Sequence, residues 1–331
     1  GSDIYHHDLA KRASVDNARW GGIEYAIATD SLGFKNREVK EISLTAVDKR
    51  IVFIGDSFTE GVGVEYQGTF VGKIASQLEK ENIEVLNAGV VSYSPTIYWR
   101  KLKYLLEDLG LKFDELVVYI DISDIQDDAI YYWLSENETV AGLNVPQSSE
   151  HTLKSFITRH TILTYIVLNF LHNLIASPID DSGLDDQPLY DHYQRSMWTI
   201  DEAVFEEMGK KGLENSEHFL DLIATLTNTH EIKLTIAVYP WREQIEHNDL
   251  DSIQVNFWKE WAKKADVAFL NYFPCFIKQD NSRAENSSTI DKHFFVGDAH
   301  WNETGHNVIA RNFLSSYRNT HSDDNACIEV N

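Results

Sequence analysis

Five short runs rich in β-branched and aromatic residues constrain this chain most: Arg50 to Ile54, Glu84 to Asn87, Glu115 to Ile120, Lys233 to Tyr239 and Val267 to Asn271. Segments with helical spacing separate them. Phe70, Ile74 and Leu78 recur at four-residue intervals behind Thr69, a residue suited to an N-cap, and Tyr98, Leu102, Leu105 and Leu109 form a second apolar stripe. Strands that alternate with helices pair in parallel through right-handed crossovers. The expected fold class is therefore α/β, a three-layer α/β/α sandwich around a central five-strand parallel sheet.

Two regions exceed that minimal plan. Residues 1–47 form a turn-rich lead-in containing Trp20-Gly21-Gly22 and Ser31-Leu32-Gly33-Phe34, expected to pack on the core and to wrap a sheet edge or wall a cleft. The span 127–216 separates the third and fourth runs by far more than an ordinary crossover and reads as a helical insertion in a domain covering 48–318. It begins with Tyr131, Tyr132 and Trp133, continues through an amphipathic stretch from Leu153 to Ile175, and carries an acidic loop from Ser177 to Gln187. Residues 319–331 are polar and read as a flexible tail.

At 331 residues with 43% apolar content the chain has material for one sizeable core. A formal net charge of -23 without any basic run argues against nucleic acid and against anionic membrane surfaces, since phosphate binding relies on clustered Lys and Arg. The longest apolar candidate, Thr161 to Ala176, is interrupted by Asn169, His172 and Asn173, so direct membrane insertion is not expected. Only Cys275 and Cys327 are present, and the sequence leaves open whether they pair. The opening Gly1-Ser2 reads as a cleavage scar, which leaves room for an upstream export signal or anchor and makes an extracytoplasmic location the expectation.

The first apolar run breaks into Gly55-Asp56-Ser57 and then turns, which places a serine at the carboxyl end of a buried strand, where open α/β sheets bind ligands. A serine hydroxyl needs a hydrogen-bonded base, normally a histidine held by a carboxylate. Asp298 and His300, two positions apart in Gly297-Asp298-Ala299-His300-Trp301-Asn302, supply both from one loop. A competing local reading makes Ser57 a helix cap, because Ser57-Phe58-Thr59-Glu60 fits a capping box. Position 59 is threonine, so the Gly-x-Ser-x-Gly elbow is absent, and Gly55 to Gly63 lacks the lysine of a phosphate loop. Asp298, His300, His306 and His293 match no local zinc motif, and neither a metal nor another cofactor is expected. His306 is expected to cap or pack a final helix starting near Asn307.

Gly55-Asp56-Ser57, Asn87-Ala88-Gly89 after the second run, and Asp298-x-His300-Trp301-Asn302 before Gly305-His306 resemble blocks I, II and V of the SGNH, or GDSL-type, hydrolase superfamily. The lead-in Asp30-Ser31-Leu32-Gly33-Phe34 is similar to the segment preceding the nucleophile in bacterial members associated with surface polysaccharide. The resemblance implies a flavodoxin-like fold, Ser57 as nucleophile, His300 as general base and acid, and Asp298 as the orienting carboxylate. It implies an oxyanion hole from the N–H groups of Ser57 and Gly89 and a block III asparagine, but this chain reads Asp121-Ile122-Ser123-Asp124 there, so Ser123 stands in the asparagine's place. Asp121 and Asp124 are expected to face away from the reacting oxygen, with Asp124 holding the loop.

The function so implied is an esterase that removes or transfers O-acyl groups, foremost O-acetyl groups of a carbohydrate, through an acyl-serine. The partner is then an acylated carbohydrate or another small ester. Tyr93, Trp241 and Trp301 are candidates for stacking on a sugar, beside Tyr131, Tyr132 and Trp133. A lipase or thioesterase for longer chains, and a glycan-binding module impaired in catalysis, are the alternatives.

Overall fold

The computed structural model describes residues 2–45, 48–142, 192–278, 283–318, 327 and 329–330. The stretches from Leu153 to Ile175 and from Ser177 to Gln187 lie outside the described residues.

The lead-in forms three antiparallel strands, β1 (Ser14–Trp20), β2 (Ile23–Thr29) and β3 (Lys35–Asn36). Gly21 and Gly22 make the two-residue turn between β1 and β2, with Gly21 at φ 56°. Then come β4 (Lys49–Ile54), β5 (Ile83–Asn87) and β6 (Glu115–Ile120), and, past the small hairpin of β7 (Tyr132–Leu134) and β8 (Val140–Gly142), β9 (Lys233–Val238), β10 (Ala268–Asn271) and β11 (Glu329–Val330). The large sheet runs β1-β2-β3-β5-β4-β6-β9-β10-β11. Its five central strands, β5-β4-β6-β9-β10, are parallel and correspond to the five apolar runs; β3 joins β5, and β11 joins β10, antiparallel. Among the described residues the sheet thus has nine strands, because the lead-in and the tail contribute pairing edges that their polar composition did not signal.

Six helices matter for placing the site: α1 (Ser57–Glu60), α2 (Phe70–Leu78), α3 (Pro95–Lys103), α4 (Lys210–Thr229), α5 (Ile253–Ala265) and α6 (Glu303–Tyr317). Helix α2 packs with α6, whereas α3 and α5 both pack against α4. With right-handed crossovers these two groups cover opposite faces, which completes the three layers. The central strands are buried on both faces, with Ile51, Val52, Phe53 and Ile54 wholly enclosed, and they read as continuous apolar runs for that reason. Thr69 caps α2 by accepting from Gly72 N, as its position suggested.

Two segments differ from expectation. Helix α4 begins inside the expected insertion, so the crossover to β9 starts before the sequence pattern marked it. Of the tail expected to be flexible, the described residues are tied down: Cys327 is disulfide-bonded to Cys275, its N–H donates to Asn312 Oδ1 at 3.1 Å, and β11 pairs with β10. A strand of two residues beyond a polar stretch carries too little periodicity to be read locally.

Candidate active site

The chain leaves β4 toward β5 on one side, whereas β6, the neighbour of β4 on the other side, connects onward to β9, so the connections from β4 and β6 run in opposite directions and open a crevice at the strands' carboxyl ends. Ser57 follows β4 there, Gly89 follows β5, Asp121 to Ser123 follow β6, and Tyr239 and Trp241 follow β9. Close packing fixes the turn after β4. A Cβ at Gly55 would stand 2.2 Å from Thr59 Oγ1, and one at Gly89 would stand 2.7 Å from Thr59 Cβ, so glycine is required at both.

The cap of α1 is Asp56, whose Oδ1 accepts from Phe58 N at 3.0 Å, so Ser57 is not the capping residue. Glu60 does not complete a capping box; its carboxylate accepts from Val91 N at 2.8 Å. The Ser57 hydroxyl is thereby released from local duty. Its Oγ lies 2.7 Å from His300 Nε2 and 3.0 Å from Asp56 Oδ2. His300 Nδ1 meets Asp298 Oδ1 at 2.5 Å, and the His300 backbone N–H donates to the same oxygen at 2.9 Å. An Nδ1–H held on the carboxylate leaves Nε2 as the acceptor facing Ser57.

The other Asp298 oxygen, Oδ2, accepts the indole N–H of Trp20 at 2.9 Å, and the Trp20 ring stands edge-on to His300 at 4.9 Å. Arg242 donates to the Asp298 carbonyl at 3.0 Å and steadies the loop. Burial by itself pushes the Asp298 carboxyl up, but its bonds with His300, joined by that from Trp20, outweigh burial and hold it below its ordinary value. Nothing local in the sequence marked Trp20, which is separated from Asp298 by almost the whole chain; the one available signal was a tryptophan set directly before a Gly-Gly turn.

The remaining assigned residues divide. Gly89 lies beside Thr59 and Glu60, but its N–H already donates to Asn87 Oδ1 at 3.1 Å. Ser123 sits at the start of a short helical turn, makes no capping bond with its side chain, and donates its N–H to Asp121 Oδ1 at 2.7 Å. Asp121 points to Tyr239 OH and Trp241 Nε1, both 2.7 Å from its Oδ2, while Asp124 Oδ2 accepts from Asp121 N at 3.1 Å and from Tyr98 OH at 2.9 Å. Tyr93, Trp241 and Trp301 are not available to stack on a sugar, and that expectation is corrected. Trp301 and Tyr93 are 0% exposed, and Trp241 only 5%. The Tyr93 hydroxyl is used by His7 O, Trp241 by Asp121, and Trp301 packs among Phe58, Tyr239 and Phe276, because core-facing aromatics and cleft-facing ones look alike in sequence.

His306 packs inside as expected, although α6 starts at Glu303; its Nδ1 accepts from Phe70 N at 3.2 Å, and burial holds the ring well below the ordinary histidine range. His293 Nδ1 bonds Thr289 O at 2.8 Å. Asn302 caps α6 and donates its amide N–H groups to Lys292 O and Phe294 O. The large cavity of about 870 Å³ lined by Lys49, Arg50, Ile83 and Glu84 lies at the amino ends of β4 and β5, the opposite edge of the sheet from Ser57.

No protein-family model matches the chain, and no curated protein matches it in sequence. Among solved structures, the chain is similar to a putative lipolytic protein of the G-D-S-L family from Desulfitobacterium hafniense, at 12% identity and a TM-score of 0.41 over 80% of this chain and 97% of that one. It is also similar to a variant of an acetyl xylan esterase from Geobacillus stearothermophilus, at 13% identity and a TM-score of 0.42 over 82% and 95% of the two chains. A third match is an esterase from Pseudoalteromonas, at 9% identity and a TM-score of 0.40 over 83% and 100%.

Proposed function

We propose that this protein is an SGNH-type serine esterase that removes or transfers a small O-acyl group, foremost O-acetyl on a carbohydrate. The observation that carries the reading is the continuous line of contacts from Ser57 Oγ to His300 Nε2 at 2.7 Å and from His300 Nδ1 to Asp298 Oδ1 at 2.5 Å. In this reading His300 takes the Ser57 proton as Oγ attacks the ester carbonyl, and Asp298 stabilises the imidazolium. His300 then returns the proton to the leaving alcohol. Water completes hydrolysis of the acyl-serine, and a sugar hydroxyl in its place completes transfer.

The oxyanion that attack creates needs donors. Ser57 begins α1, and the first N–H groups of a helix have no intrahelical acceptor, which favours its N–H as one. Gly89 N–H serves as the second by sharing its proton between Asn87 Oδ1 and the oxyanion, and the Ser123 hydroxyl as the third. Ser57 is only 6% exposed, with the Phe58 and His300 rings packed together beside it, which favours a small acyl group over a long chain.

A serine-directed fluorophosphonate is expected to label Ser57 in the wild type and not in S57A, read by intact mass and peptide mapping. Acetyl nitrophenyl esters are expected to be cleaved faster than long-chain ones. No adduct on a folded wild type would remove the esterase reading, and a preference for long chains would remove the acetyl one. Mass analysis after incubation with acetylated oligosaccharides separates acetyl loss from transfer.

A further inference from the structure

The carboxyl groups of Asp56, Asp121 and Asp124 are all buried, and an oxygen from each lies within 4.8 Å of the others. Carboxylates this close and this buried disfavour one another's ionised form, so a proton on one of them relieves the repulsion. The nearby guanidinium of Arg195 is engaged bidentately by Asp127, with both bonds 2.8 Å. The hydrogen bonds are shared unequally. Asp121 receives three donors, Tyr239 OH and Trp241 Nε1 on Oδ2 and Ser123 N on Oδ1. Asp124 receives Tyr98 OH and Asp121 N on Oδ2, while its Oδ1 is buried with no hydrogen-bond partner among the described residues.

Asp56 differs from both. Its Oδ1 takes the Phe58 N–H at 3.0 Å, with Tyr239 OH farther off at 3.3 Å, so Oδ1 behaves as a carbonyl oxygen. Its Oδ2 faces Ser57 Oγ at 3.0 Å. Ser57 has one proton and two neighbours that could receive it. If Asp56 is ionised, the hydroxyl is drawn to Oδ2 and away from His300 Nε2. If the hydroxyl proton points at Nε2, an ionised Oδ2 would set lone pairs against lone pairs at 3.0 Å. Both contacts are attractive with a neutral His300 only when Oδ2 carries a proton and donates to Oγ.

We infer that Asp56 is a positioning residue that holds a proton on Oδ2 and donates it to Ser57 Oγ, thereby directing the serine's own proton to His300. This rests on the esterase reading for its consequence, though not for the protonation itself. Burial, reinforced by the negative charge of Asp121, pushes the Asp56 carboxyl well above the usual carboxylate range, in keeping with the hydrogen-bond pattern. A neutral Asp56 also keeps a negative charge away from the oxyanion that attack would build beside it.

Asp56→Asn tests the assignment, because its amide Oδ1 can still accept from Phe58 N while Nδ2–H donates to Ser57 Oγ in a fixed sense. Fluorophosphonate labelling of Ser57 in D56N is expected to stay within about threefold of wild type, whereas D56A is expected to slow about tenfold or more. The wild-type minus D56N infrared difference spectrum at neutral pH is expected to contain the C=O stretch of a protonated carboxyl. A folded D56N that labels about a hundredfold slower, or a difference spectrum showing only a carboxylate lost, overturns the inference. If wild type fails to label while the protonated-carboxyl band is present, the esterase reading fails and the proton on Asp56 stands.

Discussion

Trp20 is the residue whose role depends most on the folded chain. Its N–H supports the ionised form of Asp298, and its ring covers one side of His300. In W20F a smaller aromatic ring replaces the indole and the donor is lost. The expected result is a fall in kcat of about three- to tenfold with KM nearly unchanged. Asp298 is held below its ordinary value partly by that bond, so losing it lets the carboxyl take up a proton at higher pH. In the proposed reaction the acid limb of the kcat/KM profile should therefore move to higher pH, which a pH series on an acetyl ester would show. Ser123→Ala tests the proposed third oxyanion donor: kcat should drop about tenfold or more with KM within about twofold, and an unchanged kcat would leave Ser123 as loop structure alone.

Between elements, buried polar joints tie segments together. Asp128, in the helical turn after β6, accepts from Ser94 ahead of α3 and from Ser216 in α4, tying three segments together. Burial pushes its carboxyl up to about 6 even with those donors. Between about pH 4 and pH 6 the unfolded chain has released this proton while the folded one retains it. The folded state then binds more protons, so its stability falls as pH rises through that window, and the penalty is complete above it. D128N cannot ionise; it should flatten this part of the pH dependence and add about 1–3 kcal/mol at pH 7, checked by thermal unfolding across pH. The five central strands were legible because strands buried on both faces must be apolar throughout. The hairpin β1–β2 was legible only at its Gly-Gly turn, since β1, Ser14–Trp20, is an exposed edge with mixed composition.

For the whole molecule, the Cys275–Cys327 bond closes 52 residues of sequence and holds β11 on the sheet edge. Chain entropy assigns such a loop about 4 kcal/mol, so C275S/C327S, or the reduced protein, should unfold several degrees lower in calorimetry. The order of elements, the parallel core and the proximity of Ser57, Asp298 and His300 followed from the sequence, because apolar periodicity and a short loop carrying both a histidine and a carboxylate are local properties. The sequence left Ser57 equally good as a cap, and only the fold assigns that work to Asp56 and turns Oγ toward His300. Which aromatics are interior, which indole reaches Asp298, and how three buried carboxyls share charge are set by residues brought together from distant parts of the chain. Such contacts leave no periodic trace, since their energies depend on distance and burial in three dimensions, which spacing along a chain does not encode.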